Sequence, residues 1–149
     1  MRTFFLLAMV VVCAGDVPET EPLSSAGTTF ISYPPDGLQY ATTIGEARLA
    51  ASPDWQETDA NPPLPARKAL ALAEAALRRV LKNGGGRDLN RRLDAASLVP
   101  LGAKKWCWRV RYEWHPRDGM RGVPPDFDVL ILMDGTVVEP VVRIVGKRG

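Results

Sequence analysis

From Lys105 to His115 the chain alternates. Trp106, Trp108, Val110, Tyr112 and Trp114 share one parity, and Cys107, Arg109, Arg111, Glu113 and His115 share the other. Strict alternation predicts a strand with one buried and one polar face. An antiparallel sheet covered on one side only reads this way. Ala66 to Lys82 follows a different period. Leu70, Ala73, Leu77, Val80 and Leu81 make one apolar stripe, which Ala66 and Ala69 extend. The stripe predicts an amphipathic helix. Pro65 suits its first turn, and Asn83-Gly84-Gly85-Gly86 ends it. Small alanines let such a helix lie close to a sheet.

Three more strands follow from the same reading. Leu93 to Leu101 turns through Gly102-Ala103-Lys104 into the tryptophan strand. Beyond the loop 116–125, Phe127 to Met133 meets Thr136 to Val145 across Asp134-Gly135. Asp-Gly is a strong hairpin signal. A two-residue turn pairs Met133 with Thr136, Ile131 with Val138, Val129 with Pro140 and Phe127 with Val142. It also sets Asp128 beside Val141 and Asp126 beside Arg143. Pro140 has no N–H for a ladder, so pairing should break or bulge near Glu139-Pro140.

Upstream, Thr28 to Tyr33 and Leu38 to Thr43 flank Pro34-Pro35-Asp36-Gly37, which predicts a small hairpin. No period is sustained from Ile44 to Leu64. Trp55 stands alone there and should anchor the segment to the body.

The N-terminus pairs a basic start, Met1-Arg2-Thr3, with an apolar run, Phe4 to Val12, and ends in Val12-Cys13-Ala14. This predicts a secretory signal cut near Ala14. The run is too short to span a bilayer. The alternative is a lipid anchor at Cys13, although Val12 stands where a lipobox prefers a small residue. The organisation is therefore a signal peptide (1–14), a flexible acidic tether (15–27), a loop-rich arm with a hairpin (28–63) and an α+β domain (64–146).

Composition adds little. The chain has 149 residues and a net charge of +2, so charge gives no reason to expect nucleic acid. Removal of Cys13 would leave Cys107 as a single cysteine, unable to form an internal disulfide.

The helix Ala66-Arg67-Lys68-Ala69-Leu70-Ala71-Leu72-Ala73, the strand Trp108-Arg109-Val110-Arg111-Tyr112 and the hairpin from Val129 to Val138 together resemble the PepSY-like group of small exported bacterial proteins. The resemblance covers residues 64–146. It implies a cystatin-like layout: one helix across a curled four-stranded antiparallel sheet, in the order α-β-β-β-β, behind an irregular N-terminal arm. It implies a non-enzymatic module outside the cytoplasm that binds peptides or modulates peptidases, and it supplies no site residues.

Candidate chemistry is sparse. Asp126 and Asp128 should share the polar sheet face with Arg143 and with Arg109 or Arg111, which reads as an ion-pair lattice rather than an acid/base pair. Cys107 reads as a half-buried filler. The lone His115 lies roughly 25 Å along the same strand, out of reach. No ligand cluster suggests a metal, no cofactor is expected, and no catalytic residue is assigned. The basic pairs Lys104-Lys105 and Arg91-Arg92 read as solvated. Trp114, at the strand end and partly exposed, with His115 and Met120 of the adjoining loop, is the candidate surface for a peptide or protein partner. The function expected is an exported, non-catalytic binding module in the periplasm or outside the cell, engaging extended peptide at a sheet edge. A structural, envelope-tethered role is the alternative, and a small hydrolase using Asp126, Asp128 or His115 is less favoured.

Overall fold

A computed structural model of the chain describes residues 27–34, 38–84, 91–114 and 125–144. The segments expected to be a signal peptide and a tether (up to residue 26, with Cys13), His115 and Met120 lie outside the described residues, as does the side chain of Leu81. The fold is α+β, with strands β1 (Thr28–Ser32), β2 (Leu38–Ile44), β3 (Arg91–Gly102), β4 (Lys105–Trp114), β5 (Asp126–Leu132), β6 (Val137–Val138) and β7 (Val141–Ile144). A short helix, α1 (Glu46–Ala51), follows β2, and the main helix, α2 (Ala66–Gly84), precedes β3.

The strands form two antiparallel sheets, not one curled sheet of four. The larger has the order β3-β4-β5-β6 and the smaller β1-β2-β7. The division occurs at Glu139-Pro140, where no ladder continues. The missing N–H of Pro140 releases the strand from β5, and β7 then pairs with β2 from Leu38↔Ile144 to Ala41↔Val141. The N-terminal arm is accordingly not irregular. Its β1 and β2 pair antiparallel, as the turn sequence between them predicts, and they supply two strands of the smaller sheet.

The final hairpin differs from the expected register by one residue. Leu130 pairs with Val138 and Ile131 with Val137, not Ile131 with Val138. The loop contains three residues, with Gly135 at φ +90°. Asp134 closes it by accepting from the backbone N–H of Thr136 at 2.8 Å and from its hydroxyl at 2.9 Å. A one-residue slip exchanges faces. Here both faces of β5 are apolar and buried from Val129 to Leu132, so hydrophobicity alone does not choose the register.

The alternation in β4 holds. Trp108, Val110, Tyr112 and Trp114 join Ala69, Ala73, Ala76 and Leu77 of α2 in the main core, and Trp106 packs against it. The indole N–H of Trp108 donates to the carbonyl of Leu64 at 2.8 Å, which ties the start of α2 to β4. The helix stripe is rotated from its expected centre: Ala76 is buried and Ala66 is exposed.

The other side of the larger sheet is not left to solvent. Cys107, Leu130, Leu132 and Val138 form a second core with Ile44, and Phe30 and Leu49 of the arm pack on it. Cys107 is therefore fully buried, not half-buried. Burial pushes its thiol up to about 12. β2 serves both cores, Tyr40 one and Ile44 the other. Trp55 is buried and meets Trp106 edge-to-face at 5.2 Å, as expected of an anchor. Lys105 is not solvated. Its ammonium donates to the carbonyls of Ala50 (3.1 Å) and Ser52 and pairs with Asp54 at 2.8 Å, so it holds the end of α1.

Candidate functional site

The position expected to present a partner surface is closed at its described end. Trp114 is 3% exposed, its ring edge-on to Phe127 at 6.4 Å. Its backbone N–H donates to the carbonyl of Pro125. The reason is the packing of α2, whose apolar face reaches the end of β4. Trp114 is thus a core residue, and its expected exposure is overturned. Its companions His115 and Met120 are not described.

The acidic pair is brought together with the expected Arg109 and Arg111, but without Arg143. Arg109 pairs with Asp128, and Arg111 reaches Asp128 at 3.0 Å and Asp126 at 3.4 Å. Arg143 lies in the smaller sheet, because the strand changes sheets before reaching it. The lattice is not open either: Asp128 is 4% exposed. Its backbone N–H donates to the hydroxyl of Ser32 at 3.0 Å, so β1 lies over it. Burial raises the pKa of Asp128 against the opposing pull of the Arg111 guanidinium. Two guanidiniums occupy its oxygens, and the ring of Phe30 lies 5.6 Å from the Arg109 guanidinium carbon. A carboxylate paired in this way ties β4 and β5 together beneath β1.

A second polar joint lies across the helix. Glu74 accepts from Arg91 at 2.7 Å and Arg78 at 3.1 Å. Arg91 is therefore paired rather than solvated. Burial raises the Glu74 carboxyl, but the two donated hydrogen bonds outweigh it and the net pKa is lowered. Tyr112, beside this acid, is pushed up to about 12, first by burial and then by the Glu74 charge.

What remains open is backbone. β3 pairs along its length with β4 and has no strand on its other side among the described residues. α2 rests on β4, β5 and β6, so β3 extends past its shelter. Every residue from Arg92 to Ser97 is exposed. Register assigns the faces. Leu93, Ala96 and Leu98 lie opposite Tyr112, Val110 and Trp108 on the helix side, and Ala95, Ser97 and Val99 lie opposite Arg111, Arg109 and Cys107. Irregularities at Leu93/Ala95 and Pro100/Gly102 bound a segment of unbroken register, Ala95 to Val99, that carries no charge. The sequence reading had this strand but not its exposure. Its signal was the Ala-Ala-Ser run, which offers too little apolar surface to be buried.

Among the described residues no three His, Cys, Asp or Glu side chains are grouped to hold a metal. No helix among them is long and apolar enough to cross a membrane. No family model, curated protein or solved structure matches the chain.

Proposed function

We propose that this is an exported, non-catalytic binding module that takes up an extended peptide by strand addition along β3. The outer edge of the uncharged segment Ala95 to Val99, which faces no described strand, carries the reading. An exposed edge offers a row of N–H and C=O groups, and native proteins normally blunt such an edge. Here the blunting devices, Asp94 and Pro100, stand at the ends of the segment and leave its middle available. Main-chain bonds would supply affinity, and Leu93 and Leu98 would contact alternate side chains of the ligand. Export rests on the basic start and apolar run at the N-terminus, with lipid attachment at Cys13 as its alternative form. Kinship with the PepSY-like group belongs to the same proposal. It rests on the sequence pattern of the helix, the tryptophan strand and the final hairpin.

The test starts from peptides of about ten residues selected from a random display library on the full chain. Methylating alternate backbone nitrogens of a selected peptide should weaken binding at least tenfold at one parity and not at the other. Hydrogen exchange should slow at Ala95 to Val99 in the complex. If no peptide is selected, or if methylation at both parities is harmless, strand addition at β3 is wrong.

A further inference from the structure

The smaller sheet presents a second open edge of a different kind. β7 pairs with β2 on one side and with no described strand on the other. All four of its residues are exposed, Val141 by 56%, Val142 by 49% and Ile144 by 86%. Val141 continues a row with the buried Ala41 and the exposed Ile31, and Val142 lies on the opposite face beside Tyr40. Across β1, β2 and β7 the single charged side chain is Arg143. An apolar edge protected by one charge invites pairing. Four residues give a flexible peptide few ladder bonds to offset its ordering, whereas a rigid sheet loses little on docking.

We infer that the edge from Glu139 to Arg143 pairs antiparallel with the same segment of a second copy of this chain, about a two-fold axis at Val141. The charge pattern selects both occupant and register. With the axis at Val141, Arg143 faces Glu139 of the second copy, and the relation repeats by symmetry. With the axis at Arg143, two guanidiniums would face each other. With it at Val142, both would face valine. Only the first register pairs opposite charges across the strands. Glu139 is available, because its contact with Arg79 at 2.9 Å joins two exposed side chains and is easily redirected. Pro140 then stands opposite Val142. The two three-stranded sheets become one of six.

Sedimentation velocity of the full chain at micromolar concentration tests this. The expected species has twice the chain mass of 16.3 kDa. Val141→Lys sets two like charges at the axis and should give the monomer, with an unchanged near-ultraviolet circular dichroism spectrum. Arg143→Glu and Glu139→Arg should each weaken association at least tenfold, and the two together should restore it. All three positions are exposed, so folding is not at stake in the charge exchange. A monomeric wild type, a dimeric Val141→Lys or a double variant no tighter than the single ones would overturn the inference.

Discussion

Glu74 shows how much one side chain can connect. It sits on α2 and accepts from Arg78 on its own helix and from Arg91 on β3, so it ties the helix to the sheet beside Tyr112. Its folded pKa is lowered from the ordinary value of 4.5. A lowered acid stabilises the fold above its unfolded pKa and loses that contribution as pH falls through the folded one. Glu74→Gln should therefore be less stable than wild type at neutral pH. The gap should close as the solution is acidified below pH 4.5. Urea unfolding at a series of pH values measures it, and a gap that stays constant to strong acid would refute the assignment. Lys105 teaches a related lesson. Adjacent lysines look alike in sequence, yet one lies on a strand that brings it under the carbonyls of α1.

At the scale of elements, period was informative and length was not. The alternation of β4 placed four aromatic side chains correctly because α2 covers one face of a central strand throughout. The break at Glu139-Pro140 was legible because a missing donor is a local, chemical fact. The hairpin register was not. Val129 to Met133 is apolar on both faces, so a slip of one residue buries just as much. The choice falls to the loop, where Gly135 takes a φ of +90° and makes room for a third residue. A Cβ there would meet Leu72 Cδ1 at 3.6 Å, an ordinary contact, so the cost of Gly135→Ala is one of backbone conformation. It should destabilise by about 1–2 kcal/mol in denaturant titration, and Gly135→Asn by less, because asparagine tolerates this region. Equal losses would show that the loop relaxes to another form. α1 was missed outright, since six residues with no buried side chain leave no stripe to read. The candidate site was hardest. Trp114 has the composition of a platform and the location of a core residue, whereas the open edge of β3 depends on where α2 ends its cover.

For the whole molecule, the arm sets the outcome. Expected as an attachment to a finished domain, it buries the second face of the larger sheet and pairs with β7 after the chain has left that sheet. Through Tyr40 and Ile44, β2 shares in both cores, so neither core should melt alone. Cys107 reports on one and the tryptophans on the other. With its thiol at about 12 and no exposed surface, Cys107 should resist iodoacetamide at neutral pH in the native protein. Along a denaturant series, alkylation of the Cys107 peptide and loss of the near-ultraviolet tryptophan signal should share one midpoint. Two separated midpoints would mean that the arm detaches first.

The exit of the chain at Pro140 also has a mechanical side. One short run of residues is stitched first into the larger sheet and then into the smaller. A pull on the end of β7 would meet its four pairs with β2 before any load reached β6. The small sheet is thus a shock absorber in series with the large one, and tension from an attached partner would be spent there while the tryptophan layer stayed intact.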